Sequence, residues 1–94
     1  MRLRPDETEL VGHWKYEGGK VVADDTSQKI VALVRDWLKV VSRANDGWEQ
    51  LLRDPSDGRF WELTYPTSEM HGGGPPALRV ISEDVARNKY GIKV

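Results

Sequence analysis

The feature that most constrains this fold is a short turn, Pro55-Ser56-Asp57-Gly58, between two runs of alternating apolar residues. Proline presets φ, and glycine adopts the positive φ that closes such a turn. The segments from Trp48 to Asp54 and from Arg59 to Tyr65 are therefore predicted to pair as a β-hairpin. Because side chains alternate between the two faces of a strand, the register gives this hairpin one largely apolar face. That face carries Trp48, Gln50, Leu52, Trp61, Leu63 and Tyr65.

A loop of unusual composition follows this hairpin. Pro66 ends the second strand, and Gly72-Gly73-Gly74 is joined directly to Pro75-Pro76 before an alternating strand begins at Ala77 and runs to Ile81. Glycine is the most flexible residue and proline the least, so ordering this junction costs much backbone entropy. We infer that the fold or the function uses this loop.

One long amphipathic helix is predicted from Thr26 to Ala44, because apolar residues recur there at helical spacing. Asp25 or Thr26 can cap its first turn, and Asn45-Asp46-Gly47 suits the left-handed conformation that ends a helix. The apolar stripe consists of Ile30, Leu33, Val34, Trp37, Leu38 and Val41.

A further hairpin is predicted from Glu9 to Ala23, turning on the paired glycines Gly18 and Gly19. The turn sets the cross-strand pairs Glu17 with Lys20, Tyr16 with Val21, and Trp14 with Ala23. With these pairs, one face of the hairpin is apolar and His13 lies on the opposite, outer face.

The order of these elements predicts an α+β fold. A short C-terminal helix is expected from Ser82 to Tyr90, with Gly91 ending it. A largely antiparallel sheet of about five strands would pack one face against the long helix, in a single domain over residues 1–94. The aromatic residues expected in the core are Trp14, Trp37, Trp48, Trp61 and Tyr65.

Composition excludes several functional classes. The chain has 14 Lys and Arg against 15 Asp and Glu, so it lacks the cationic field expected of a nucleic-acid binder. Cysteine is absent, which fits a reducing compartment. The first residues lack the apolar run of a signal peptide, and no apolar stretch approaches bilayer length. We therefore expect a cytoplasmic protein that binds neither membranes nor nucleic acid.

The sequence offers little support for catalysis. No metal-ligand spacing such as His-x-x-x-His occurs, and the triple glycine lacks the Gly-Lys-Ser/Thr ending of a phosphate loop. We expect no metal and no cofactor. Glu62 and Asp57 are the available pair of carboxylates for acid–base work, which keeps a small ligand-binding or acid–base enzyme domain as an alternative.

Several short segments together carry a resemblance to a known family. They are Gly47-Trp48-Glu49, Arg53-Asp54-Pro55-x-Asp57-Gly58-Arg59, Trp61-Glu62-x-x-Tyr65-Pro66, Gly72-Gly73-Gly74-Pro75-Pro76-x-Leu78 and Lys89-Tyr90-Gly91. With Gly12-x-Trp14 and the amphipathic helix, they make the chain similar to the immunity protein 27 family of bacterial polymorphic-toxin systems. The resemblance implies a small intracellular protein, not an enzyme, that binds and neutralises a cognate toxin from the same locus.

Tight neutralisation requires buried aromatic or arginine anchors and charges that speed encounter. The hairpin and the loop after it are the candidate partner-binding surface, and a basic nuclease toxin would complement their carboxylates. The candidate contacts are Asp54, Asp57, Arg59, Glu62, Glu69 and His71.

Other interpretations of the same residues stay open from sequence. Asp54 and Asp57 can serve only to shape the turn through side-chain hydrogen bonds. Glu62 can form a surface ion pair with Arg53 across the strands. A third functional class is a self-associating module, joined through an exposed strand edge or through outer-face Leu51 and Phe60, and the oligomeric state is left undetermined.

Overall fold

The protein was analysed as a computed structural model that describes residues 2–66 and 74–92. It has the predicted α+β fold, with a five-stranded antiparallel sheet, a 12-residue helix and a short C-terminal helix. The elements are β1 (Glu9–Val11), β2 (Trp14–Glu17), β3 (Lys20–Ala23), α1 (Asp25–Asp36), β4 (Lys39–Ala44), a 3₁₀ turn (Asn45–Gly47), β5 (Glu49–Arg53), β6 (Phe60–Thr64), β7 (Ala77–Ile81) and α2 (Glu83–Tyr90).

The five-stranded sheet has the order β1-β7-β6-β5-β4, and β2 and β3 form a separate two-stranded sheet. The predicted register of the central hairpin is confirmed, since Leu52 pairs with Trp61 and Gln50 with Leu63. Gly58 has a φ of +78°, so the turn uses the conformational freedom that the sequence indicated.

The N-terminal hairpin is confirmed only in part. The pairs around Gly18 and Gly19 have the predicted register, and His13 is exposed as expected. The stretch from Glu9 to Ala23 is nevertheless split at Gly12, because β1 leaves the hairpin and pairs with β7. A Cβ at Gly12 would clash with the Ser27 hydroxyl, and its amide donates to the carbonyl of Pro76 at 2.8 Å. Glycine therefore permits the close approach that directs β1 into the larger sheet.

The long helix predicted from Thr26 to Ala44 is wrong in its second half. Helix α1 ends at Asp36, and Lys39–Ala44 is strand β4, paired with β5 at the edge of the sheet. The adjacent Val40 and Val41 are β-branched, which favours a strand. Val40 pairs with Leu52 of β5, and Val41 is the extra residue where the register shifts before Ser42. The N-cap is also one residue earlier than predicted, since Asp24 accepts a hydrogen bond from the Ser27 amide at 2.7 Å.

The residues Asn45-Asp46-Gly47 adopt the left-handed conformation that their types favour, with φ values of +52°, +57° and +90°. They do not end a helix, as predicted, but form the connection from β4 to β5. The residue types of Asn45-Asp46-Gly47 therefore predicted their own backbone conformation correctly, but they did not predict that the preceding element is a strand.

Both faces of the central sheet are covered. On the α1 face, Trp61, Leu52 and Leu63 pack in a core cluster with Ile30 and Leu33 of the helix. On the other face, Ala86 of α2 joins a second buried cluster with Leu51 and Phe60. The predicted packing of one face against α1 is confirmed, and α2 covers the other face as well.

Burial under α2 also overturns the idea that Leu51 and Phe60 are outer-face residues available for self-association. Their side chains are fully or almost fully buried within the chain itself. The predicted C-terminal helix is confirmed, since Ser82 caps α2 by accepting from the Val85 amide and Gly91 ends it with a φ of +65°.

The aromatic core predictions have a mixed outcome. Trp61 is fully buried, whereas Trp14, Trp37 and Tyr65 are partly buried. Trp48 was wrongly assigned to the core, because its exposed fraction is 55%. Neither helix in the described ranges is long and apolar enough to cross a membrane.

Candidate interaction surface

The turn between β5 and β6 is built around a buried carboxylate. Asp54 has an exposed fraction of 0%, and its Oδ1 accepts from the amide and hydroxyl of Ser56 at 2.8 and 2.7 Å. The same oxygen accepts from the indole N–H of Trp37 at 3.2 Å, which ties the turn to the end of α1. Asp54 therefore shapes the turn and does not lie on the surface that a partner could contact.

Asp57 and Arg59 are paired with each other. The Arg59 guanidinium donates to the Asp57 carboxylate at 2.6 Å, and the Arg59 amide donates to it at 3.0 Å. Partial burial raises the pKa of Asp57, but these hydrogen bonds and the positive charge of Arg59 outweigh it and hold the pKa below its usual value.

Arg59 also fastens the N-terminal segment to the sheet. Its guanidinium donates to the backbone carbonyls of Glu7 at 2.6 Å and Arg4 at 3.1 Å. It lies over the ring of Trp61, 5.1 Å from the centroid, on the α1 face of the sheet. This arginine is thus occupied by internal contacts.

Glu62 lies on the opposite face, beneath α2, with an exposed fraction of 9%. The Tyr90 hydroxyl donates to Glu62 Oε2 at 2.8 Å, and the Lys89 ammonium contacts the same oxygen at 2.7 Å. Lys89 also donates to Glu49 at 2.7 Å. The pair predicted between Glu62 and Arg53 is not formed, because Arg53 stacks on Phe60 and Glu62 pairs with Leu51 in the register.

This network shifts the pKa of both groups on α2. Hydrogen bonds to Glu49 and Glu62 raise the pKa of Lys89. Burial, followed by the hydrogen bond to Glu62, raises the pKa of Tyr90 strongly. Both groups are protonated at neutral pH even at their ordinary pKa values, and their hydrogen bonds to Glu49 and Glu62 fasten α2 to the sheet.

The two carboxylates considered for acid–base chemistry are not brought together. Asp57 is held by Arg59 toward the α1 face, whereas Glu62 faces α2 on the other side of the sheet. Within the described part of the chain, no three His, Asp or Glu side chains are grouped so as to hold a metal ion. Glu69 and His71, the remaining predicted contacts, lie outside the described residues.

An aromatic surface that sequence reasoning missed lies where β5 begins and β6 has ended. Trp48 and Tyr65 contact edge to face, with ring centroids 5.6 Å apart. Tyr65 lines two clefts, one of about 410 Å³ shared with Trp48 and Pro66 and one of about 360 Å³ shared with Val31 and Val34 of α1. The apolar pattern had assigned both aromatics to the core. The available signal was position, because Trp48 directly follows the Asn45-Asp46-Gly47 turn and Tyr65 directly precedes Pro66, which places both at the ends of their strands.

These features define a class of small α+β proteins with clefts beside exposed aromatic side chains and no paired acid–base carboxylates in the described ranges. The family model of Immunity protein 27 matches residues 16–82, and the chain belongs to this family. Comparison with curated proteins and with solved structures gives no match.

Proposed function

We propose that this protein binds a cognate toxin domain and neutralises it, which protects the cell that makes both. The observation that carries the proposal is the family match over residues 16–82. This range includes α1, both hairpin turns and four of the five strands of the larger sheet. An immunity protein acts by occupying its toxin, so the activity requires a stable fold and a contact surface rather than a reaction centre.

The physical properties of the chain support such a role. Exposed aromatic side chains beside clefts are the usual anchors of tight protein interfaces. Trp48 provides one such side chain, and its contact with Tyr65 restrains it before any partner arrives. Action in the cytoplasm is part of the proposal and is supported by the absence of cysteine.

The class of toxin is a separate question. A basic nuclease was suggested from sequence because carboxylates cluster in the central hairpin. Asp54 is buried, Asp57 is paired with Arg59, and Glu62 is paired with Lys89. These internal contacts weaken the charge argument, so we propose toxin binding without assigning a nuclease activity to the toxin.

Growth rescue tests this function directly. The toxin domain encoded beside this gene is expressed from an inducible promoter, with and without this chain, in a bacterial host that lacks both. We expect growth to stop with the toxin alone and to be restored by co-expression, with the two proteins co-purifying. An unrelated toxin domain serves as the specificity control. Continued growth arrest, with both proteins soluble, would reject the proposal.

A further inference from the structure

Helix α1 and the end of the sheet at Tyr65 form an apolar cleft, with Arg35 in its lining and Arg43 beside Gln50 on the next strand. We propose that the toxin domain docks in this cleft, beside the Trp48–Tyr65 pair, through an apolar side chain flanked by a carboxylate. This inference rests on the proposed function and names the surface and the chemistry by which it would be carried out.

The cleft has an apolar floor and two exposed apolar borders. Leu63 and Tyr65 of the sheet face Val34 of the helix across a space of about 360 Å³. Val31 borders the cleft on the helix side with an exposed fraction of 56%, and Trp48 stands beyond Tyr65 with 55%. A space of this size admits one large apolar side chain, and covering both borders would remove further apolar area from water.

The rim of the cleft sets the sign of charge that the partner must carry. Arg35 lines the cleft, and the nearby carboxylate of Asp36 is already held by Arg35 through two hydrogen bonds of 2.9 and 2.7 Å. Arg43 pairs with Gln50 in the β4–β5 register, and Gln50 lines the cleft, so Arg43 extends from the same face of the sheet.

Arg43 is an exposed cation that a partner seated in this cleft can reach. Within residues 2–66 and 74–92, it forms no ion pair. A carboxylate of the partner placed beside its apolar anchor would meet this guanidinium, with the bidentate geometry that arginine favours. The apolar cleft and the charge of Arg43 together favour a surface of the toxin domain that carries an apolar side chain beside a carboxylate.

Other exposed features fit less well. The face of the β2–β3 hairpin exposes Tyr16 and Val21, but neither residue borders a described cleft. The turn residues Asp57 and Arg59 neutralise each other. Among the described residues, the two clefts that share Tyr65 combine a concave surface with an exposed aromatic side chain, Trp48, and an available charge, Arg43.

The test compares matched variants for binding to the purified toxin domain by surface plasmon resonance. Trp48→Ala removes the aromatic anchor, and Tyr16→Ala removes an aromatic side chain that is 84% exposed elsewhere. We expect Trp48→Ala to weaken the affinity by about 30-fold or more, mainly through faster dissociation, and Tyr16→Ala to change it by less than about twofold.

Charge reversal supplies the second pair of variants. Arg43→Glu and Lys39→Glu make the same change in net charge on the same strand, but Lys39 pairs with Arg53 and extends from the α2 face. The two variants therefore change the long-range electrostatic attraction between the proteins by a similar amount. We expect Arg43→Glu to weaken binding by about tenfold at low salt and Lys39→Glu by much less.

Thermal unfolding of each variant shows that it is folded before binding is measured, and Val31→Glu, on the exposed border of the cleft, replaces Trp48→Ala if that variant does not fold. Wild-type binding together with an unchanged affinity for a folded Trp48→Ala, or for Val31→Glu in its place, would overturn the docking site while leaving the proposed function intact. Equal losses for Arg43→Glu and Lys39→Glu would overturn the acidic flank. Absence of wild-type binding would instead overturn the function and the docking site together.

Discussion

At the scale of single residues, the charged side chains of the central hairpin are committed to the fold. The carboxylate of Asp54 organises the turn, Arg59 joins the turn to the N-terminal segment, and Glu62 fastens α2. The turn-shaping hydrogen bonds of Asp54 to Ser56 were one of the interpretations of the sequence, because they are local. The burial of Asp54 and the pairing of Arg59 and Glu62 with other elements were not, because they depend on segments far away along the chain. Arg59 and Glu7, for example, are 52 positions apart.

Replacing Asp54 by Ala tests this structural role. The change leaves the Ser56 amide and the Trp37 indole N–H without their acceptor, so we expect the free energy of unfolding to fall by about 1–3 kcal/mol in urea titrations. Asp6→Ala removes an exposed carboxylate, 79% accessible, and should change it by less than about 0.5 kcal/mol. Equal stabilities for the two variants would contradict the buried role of Asp54.

Glu7 predicts a specific acid dependence of stability. Burial opposes its ionisation, but hydrogen bonds from the Arg4 amide and Lys29 prevail and hold its pKa below the ordinary 4.5. The stabilisation is therefore complete above that value and is lost as pH falls through the folded-state pKa. The difference in unfolding free energy between wild type and Glu7→Gln should therefore shrink as pH falls below about 4.5. A difference that stays constant with pH would argue against this pairing.

At the scale of elements, residues typical of turns and helix ends predicted most boundaries correctly. The prediction failed where pairing between distant segments determines the secondary structure. Gly18-Gly19, Gly58, Ser82 and Gly91 marked turns and helix ends correctly, because their conformations depend on neighbouring residues. The stripe from Ile30 to Val41 kept helical spacing beyond the true end of α1. Strand β4 forms there because β5 supplies hydrogen-bond partners. The helical spacing of apolar residues carries no information about pairing with a distant strand.

The second buried face of the sheet yields an element-scale prediction. Leu51 is fully buried beneath α2, so Leu51→Ala should lower the free energy of unfolding by about 2–5 kcal/mol through lost contacts and a residual cavity. Val85→Ala on the exposed side of α2 is the matched control and should have an effect below about 0.5 kcal/mol. Chemical denaturation measures both. A Leu51→Ala variant as stable as the control would mean that α2 does not cover this face.

At the scale of the whole molecule, the candidate interface differs from the one predicted from sequence. The sequence indicated the charged residues of the central hairpin, whereas the structure favours the clefts beside Tyr65. The predicted contact residues in the described ranges are divided between two faces of the sheet, and none of them lines the clefts at Tyr65. The clefts beside Tyr65 instead lie at the other end of the central hairpin, where β5 begins and β6 has ended. The pairing of β1 with β7 completes the larger sheet, and no local pattern specified it.

Toxin binding is measured by calorimetric titration of the purified chain with the toxin domain encoded beside it, inactivated by mutation. We expect a saturable one-to-one complex with a Kd below about 1 μM, because neutralisation requires the toxin to stay bound. An unrelated toxin domain should produce no binding heat. Absence of both binding heat and co-elution, with each partner shown to be folded, would contradict the assignment of this chain as an immunity protein for that toxin.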